Sequence, residues 1–481
     1  MTSPYILPGA VAASRPSSRQ PSRASSRQPS RAPARPAGEP RARSGEPRSL
    51  PERLGLLAAW LVVLVPPFLL SLAAKEAFRL PKLMASEGLA LASLLFLAWQ
   101  VRKLEEVRLA DLWRLPAVRA LAPLLLVATL GLWTTEHPLH VREGLIDLWI
   151  GAAALAGWSV GLPARRQRQL LGGLLLPATG LGLFGILQFH GVFQPLQLIS
   201  IAHDQRLNLT STAGNPGDLG VYLVLPCLIA QWSLMGGAAG RARWLPGWLA
   251  RSFFPLIALA VCLYAMVLTQ TLAALAALAV SSLLLWISVL PKRRVALLLG
   301  GGAALVLVLV LAVAPLRTRV TAKVGAALHG DWNAVLTGRL DGWRAAVWML
   351  RENPWTGVGQ GAFRPSFVPA KLALLDRGAP FYAKQLTPVF ANAHNEYLEA
   401  AADWGIPGIL ALAWGLWTLG TAVRGGMGED RGLAVAGAVA LAILSLAHFP
   451  FRIALVGYPA LLFLAWVLRP REKEEEGEVA S

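Results

Sequence analysis

The sequence predicts an all-α polytopic membrane protein with about twelve transmembrane helices and one large extracytoplasmic loop. Three observations carry this: an apolar composition, a series of apolar runs of bilayer length, and lysines and arginines gathered in alternate loops. Of 481 residues, 55% are hydrophobic and 15% charged, against about 45–50% and about 25% in soluble domains. An ordinary soluble enzyme is excluded. Disorder as the overall state is excluded too, because disordered chains are poor in apolar residues. The formal net charge of +18 raises nucleic acid as a partner, and the placement of that charge argues against it.

The chain begins with a tail, residues 1–53, that holds ten Arg against three Glu (Glu39, Glu46, Glu52). Seven of the eighteen net charges therefore sit there. Ser17–Ala24 reads SSRQPSRA, and Ser25–Ala32 repeats it. Pro, Ser and Arg at this density cannot build a core, so the tail is expected to be disordered. It is too long and too polar for a secretory signal. Its charge places it on the cytoplasmic side, against anionic headgroups; nucleic-acid binding is the weaker reading.

The membrane domain follows at residues 54–469. Its apolar runs fall at 54–74, 83–101, 116–134, 143–162, 169–190, 215–235, 253–269, 271–290, 295–314, 404–423, 432–450 and 453–469. Each is long enough, or nearly so, for a helix of about 20 residues to cross about 30 Å of hydrocarbon. The seventh and eighth nearly touch. Residues 470–481 form a short charged tail. Cys227 and Cys262 lie in apolar runs and read as buried free thiols. They support neither a metal site nor a disulfide framework.

Loop charge sets the direction. With the N-terminus inside, the inner loops hold Arg102, Lys103, Arg108, Arg114, Arg119, Arg165, Arg166, Arg168, Arg241, Arg243, Arg251, Lys292, Arg293, Arg294, Arg424 and Arg431. The short outer loops hold only Lys75, Arg79, Lys82, Arg142, Arg206 and Arg452. Both termini are then cytoplasmic. The long segment 315–394 faces outward, with ten Lys or Arg against four Asp or Glu. Ordered segments of that length are usually functional. Within it, residues 339–352 have helical periodicity, with Leu340, Trp343, Val347 and Leu350 on one face suited to the membrane interface. Asn353-Pro354 ends that helix.

Depth narrows the search. Glu87, Glu143, Asp147, Asp218, Glu399, Asp403 and Arg452 all lie near the outer ends of their segments. So do all seven histidines, His137, His140, His190, His203, His329, His394 and His448. The midplane is nearly free of charge, whereas coupled transporters place ionisable groups there. A site opening to the outer face follows. His137 and His140 lie three apart, but Pro138 disfavours a regular helix between them. No HExxH or Asp-rich pattern accompanies them, so no metal site is expected.

One set of motifs adds a resemblance. Ala393-His394-Asn395-Glu396-Tyr397-Leu398-Glu399 precedes Asp403-Trp404-Gly405-Ile406-Pro407-Gly408. Upstream stand Gly338-Arg339, Trp343, Asn353-Pro354-Trp355-Thr356-Gly357-Val358-Gly359 and Phe363. Arg206 accompanies Gly214-Asn215-Pro216 and Tyr222-Leu223, after Gly185-Ile186-Leu187-Gln188. This combination resembles the bacterial O-antigen ligase and polymerase family of membrane glycosyltransferases, over roughly residues 80–465. One departure stands out. Many members carry Ser-Arg-Gly at the outer end of the eighth segment, where this chain reads Thr269-Gln270-Thr271-Leu272-Ala273. One phosphate-binding arginine is therefore missing near Leu272, and Arg206 is a candidate substitute.

The resemblance implies transfer of a glycan from an undecaprenyl-diphosphate carrier to an acceptor hydroxyl, on a lipid core or another glycan. It implies the outer, periplasmic face of the bacterial cytoplasmic membrane, without cofactor or metal. Such chemistry needs fixed cations for the diphosphate, which Arg supplies with bidentate geometry. It also needs a base for the hydroxyl proton, a role that suits His. The implied catalytic residues are His394 and Arg339; Arg206, Asn395, Tyr397 and Asn215 are the implied substrate-binding residues. Plainer readings stay open. His394 can be a helix-start residue bonded to backbone, Arg339 a headgroup anchor, and Arg206 a loop charge. Asn215-Pro216 can be helix-start chemistry. Glu399 and Asp403, four apart, can pair with the loop's arginines. A surface-polysaccharide polymerase is the nearest alternative function. A lipid-linked glycan transporter, sensitive at Gln188 or Gly220, is the next.

Overall fold

A computed structural model describes residues 50–470 except 75, 102–111, 196–204, 237–242, 246, 251–252, 313, 380, 382–389 and 426. Nearly all of both charged tails, together with Lys75, Arg102, Lys103, Arg108, His203, Arg241 and Arg251, lies outside the described residues. Among the described residues every regular element is helical.

All twelve apolar runs fall on helices. In order these are α1 (Leu50–Leu64), α2 (Leu80–Val101), α3 (Pro116–Leu130), α4 (Pro138–Gly161), α5 (Ala164–Gly173), α6 (Leu175–Phe189), α7 (Pro216–Met235), α8 (Phe254–Thr269), α9 (Leu272–Val289) and α10 (Lys292–Ala312). The segment 315–394 carries α11 (Ala314–Leu328), α12 (Trp332–Val335), α13 (Arg339–Glu352) and α14 (Phe363–Asp376). The last three are α15 (Glu396–Arg424), α16 (Arg431–Ala447) and α17 (Ala454–Val467). Nine spans among the described residues are long and apolar enough to cross a membrane, α5 and α6 together making one of them. Two further apolar helices, α8 and α17, are shorter, at 16 and 14 residues.

Local chemistry sets the boundaries. Pro116, Pro138 and Pro216 open their helices at the first position, where a missing N–H costs nothing. The first helix starts at Leu50, not after 53, with Pro51 and Glu52 in its first turn. The nearly touching runs part at Gln270, which takes a left-handed conformation (φ 51°) and ends α8.

α7 is the centre of the bundle. It packs against α6, α8, α9, α16 and α17, and 83% of its span is buried. Its first turn carries Asp218, so a carboxylate enters the core beside these helix ends. A second apolar cluster joins Ala345, Ala346 and Met349 of α13 to Phe363 and Phe367 of α14 and Ala402 of α15. The long segment is thus mostly helix, folded onto the start of α15. α13 has the expected bounds, and the face it buries against the protein is opposite the one the sequence assigns to the membrane interface. Its small residues Gly342, Ala345 and Ala346 face inward with Met349, while Leu340, Trp343, Val347 and Leu350 are only half-buried. Small side chains win the inner face because α13 lies against backbone: a Cβ on Gly342 would stand 3.0 Å from the Ala393 carbonyl oxygen.

Candidate functional site

The site forms where the segment before α15 meets the starts of α7 and α13 and the end of α16. Asn395 caps α15, its Oδ1 accepting from the Tyr397 and Leu398 amides at 3.0 Å each. Capping of this kind needs extended backbone at Asn395 (φ −157°). The chain therefore turns sharply at the preceding residue, His394, which is left-handed at φ 56°. A non-Gly residue pays for that conformation only where its surroundings over-determine it. Here Glu399 supplies the restraint. It is wholly buried, accepting from the Ala393 amide at 2.8 Å and from Asn392 Nδ2 at 2.9 Å.

Beneath this turn sits a buried charge cluster. Arg452 reaches Asp403 at 2.8 Å, Glu399 at 3.1 Å and Glu396 at 3.7 Å. Burial works against its charge, but Glu399, Asp403 and Glu396 outweigh it and hold the guanidinium proton more tightly than usual. Glu399 and Asp403 thus pair with Arg452, not with arginines of the long segment. α15 points both carboxylates into the bundle, whereas the segment's described cations lie on α11, α13 and α14 and at the end of α14.

His394 is half-buried between cations. Burial first, then Arg339 and Arg79, lowers its pKa to about 4. It is therefore neutral at pH 7, and its Nδ1 has no hydrogen-bond partner among the described residues. Its ring meets the edge of Phe449 at 4.8 Å and of His448 at 6.2 Å between centroids. His448 is buried and faces Asp218 at 3.6 Å, and its Nδ1 is likewise unpartnered among the described residues. Asp218 holds Arg79 at 3.2 Å, and Arg79 lies over the Phe449 ring at 5.4 Å. Lys82 fixes the approach to Arg79 by donating to the carbonyls of Leu69 (2.5 Å), Phe78 (2.9 Å) and Thr212 (2.6 Å).

The expected residues divide into two groups. His394 and Arg339 come together, with Arg339 at the start of α13, three residues before the Gly342 that packs on Ala393. The others have structural work. Asn395 is a cap. Tyr397 Oη donates to the Ala442 carbonyl at 3.1 Å and ties α15 to α16. Asn215 caps α7 by accepting from the Asp218 amide at 2.8 Å. Arg206 Nε donates to the Thr269 carbonyl at 2.5 Å, at the start of the Thr269–Ala273 stretch that lacks the family pattern's arginine. It is Arg79, however, that acts on His394.

Sequence reasoning missed Arg79, Asp218 and His448 as one unit. Each was visible as an outer-end polar residue, but nothing in the spacing pairs positions 139 apart, as for Arg79 and Asp218. By sequence Arg79 reads as one of the short outer-loop charges.

The remaining motif residues explain their own pattern. Asn353–Gly359 runs along the kink of α15, with Val358 and Gly359 amides donating to the Ala402 and Asp403 carbonyls at 2.9 Å each. The Ile406 amide donates back to the Pro354 carbonyl at 2.7 Å. Gln188 and Gly220 are also structural. Gln188 accepts from the Ser211 amide at 2.5 Å, and a Cβ on Gly220 would stand 2.8 Å from Thr269 Oγ1. His137 precedes α4 and His140 lies in its first turn, their rings 6.2 Å apart; Pro138 starts the helix rather than breaking it. Cys227 and Cys262 are buried and free.

Comparison with curated proteins finds no match. The O-antigen ligase family model matches residues 257–413, from α8 to the middle of α15, a stretch that includes Arg339, Asn353–Gly359 and His394. Among its described residues the protein is helical, with nine spans long and apolar enough to cross a membrane, and its residues 257–413 are similar to the O-antigen ligase family.

Proposed function

We propose that this protein transfers a glycan from an undecaprenyl-diphosphate carrier to an acceptor hydroxyl at the outer face of the bacterial cytoplasmic membrane. In this reading the chain crosses twelve times, both termini are cytoplasmic, and the site faces the periplasm. The observation that carries it is a neutral His394, its Nδ1 without a hydrogen-bond partner among the described residues, set between Arg339 and Arg79.

The step balances with these residues alone. The acceptor oxygen attacks the anomeric carbon, and the bond from that carbon to the diphosphate oxygen breaks. The electron pair leaves with the diphosphate, which Arg339 and Arg79 hold. The hydroxyl proton passes to His394. A base with a pKa of about 4 is weak, but a bound diphosphate offsets the two cations. His394 then regains the part of its basicity that the two cations remove, while burial still holds it below its ordinary value, and it does so only when the donor is in place. Arg206, on the Thr269 carbonyl, is a further cation for the carrier end of the donor.

Transport finds less support. Gln188 and Gly220, the positions a midplane pathway would use, serve in packing and backbone bonding. Ligase and polymerase use the same donor and differ only in acceptor.

His394→Ala in a deletion strain tests the reading. Surface glycan transfer should disappear at unchanged protein level and membrane insertion; a normal glycan profile rejects it. In the deletion strain itself, carrier-linked chains accumulating while the lipid core stays bare mark a ligase. Single repeat units on the acceptor mark a polymerase.

A further inference from the structure

Arg319 and Lys323 lie one turn apart on α11 and form no ion pair among the described residues. Lys323 donates to the Ala334 carbonyl and, at 3.0 Å, to the Thr337 hydroxyl. Those bonds hold its amine at the entry to α13, beside Gly338 (φ 80°) and Arg339. An ammonium has three N–H groups, so one stays available. Arg319 Nε is buried without a hydrogen-bond partner among the described residues. Arg319 acts on both Lys323 and Arg339, so the three cations are neighbours. The carboxylate acting on Lys323 is that of Asp331, which is engaged as the cap of α12, accepting from the Ala334 amide at 2.9 Å.

Three cations held together without a paired carboxylate repel one another, and a bound anion relieves that repulsion. The surroundings say where the anion comes from. Val324 and Leu328 on another face of the same helix, and Trp332 just after it, stand exposed, at 52%, 82% and 59%. An apolar edge next to a cationic one is the layout of an element lying in the headgroup layer. Arg and Lys there meet phosphate, the anion of that layer.

We propose that Arg319 and Lys323, next to the Arg339 that holds the diphosphate, form a second anion site that binds the phosphate of a membrane lipid. The lipid is either a phosphorylated acceptor or a bilayer phospholipid. Only the acceptor role rests on the transfer reading; the site itself does not.

The test uses the full chain in detergent, titrated with dihexanoyl phosphatidic acid and, as control, dihexanoylglycerol, with bound lipid counted by native mass spectrometry. Phosphatidic acid should bind saturably where the neutral lipid does not. The double variant Arg319→Gln, Lys323→Gln should weaken it about tenfold or more. Arg319→Lys, which keeps the charge, should bind nearly as the parent and controls for folding. Arg317→Gln, on the exposed part of the same helix, should change nothing. Equal loss in Arg317→Gln, or undiminished binding in the double variant, overturns the proposal. His394→Ala should bind the lipid normally, so failure of the transfer reading leaves this result readable. A KM that rises in the double variant for a phosphorylated acceptor, and not for its dephosphorylated form, assigns the site to the acceptor. Lost lipid binding with KM unchanged for both assigns it to phospholipid.

Discussion

Gly405→Ala probes the joint that holds the site together. Gly405 interrupts α15 with φ 64° and ψ −161°, a conformation essentially confined to glycine. An added Cβ would stand 2.5 Å from the Pro354 carbonyl oxygen and 3.0 Å from the carbonyl carbons of Pro354 and Trp355. All three are backbone atoms, so no rotamer change relieves the clash. Gly357 makes the reciprocal approach, its Cβ position 2.3 Å from the Asp403 carbonyl oxygen. The strain costs about 1–3 kcal/mol. Separating the two strands also loses the hydrogen bonds from Val358, Gly359 and Ile406, at about 1 kcal/mol each. The total is about 4–6 kcal/mol, a large share of a stability of about 5–15 kcal/mol. Gly420→Ala, on the same helix with open space at its Cβ position, is the control; it should be neutral or stabilising by up to about 1 kcal/mol. Thermal midpoints of detergent-solubilised protein, read by fluorescence-detected size-exclusion chromatography, should fall steeply for Gly405→Ala alone. Equal midpoints for the two variants refute the argument.

Asn395→Ala should cost about 1 kcal/mol through the lost cap and lower the same midpoint by a few degrees, while Asn395→Asp should retain it. Arg452→Gln leaves Glu396, Glu399 and Asp403 clustered without their cation. It should cost about 3–5 kcal/mol, with Arg452→Lys restoring only part because an ammonium cannot span three carboxylates as a guanidinium does; full rescue by Lys contradicts the geometry. Acid should destabilise the fold through His394. Its folded pKa is lowered from 6.5 to about 4, so its contribution is complete above pH 6.5 and is lost as pH falls through about 4. The difference is at most about 3 kcal/mol. Unfolding midpoints of the parent should therefore drop faster between pH 7 and pH 4 than those of His394→Gln, and parallel curves contradict it.

Several motif residues look alike in sequence but do different work. His394 and Asn395 are neighbours, yet Asn395 accepts from two backbone amides while His394 Nδ1 has no partner among the described residues. The cap was foreseeable, since Asn is a favoured N-cap residue and acidic residues, Glu396 and Glu399, follow it in the first turn. Its consequence, a left-handed His394, was not. The long segment shows a similar limit. The amphipathic stretch 339–352 was legible because helical period is a local property. Its buried face was not, because what lies opposite decides whether small or large side chains go inward.

The sequence by itself determined the membrane class and the helices under every apolar run, and its motif resemblance singled out Arg339 and His394. Those features depend on run length, loop charge and motif spacing, which are properties of short stretches. Only the tertiary structure decided that Arg79, Asp218 and His448 join His394, and that Arg452 rather than a loop arginine neutralises Glu399 and Asp403. A buried charge takes whichever partner the packing brings within a few ångströms, and that partner need not be near in sequence.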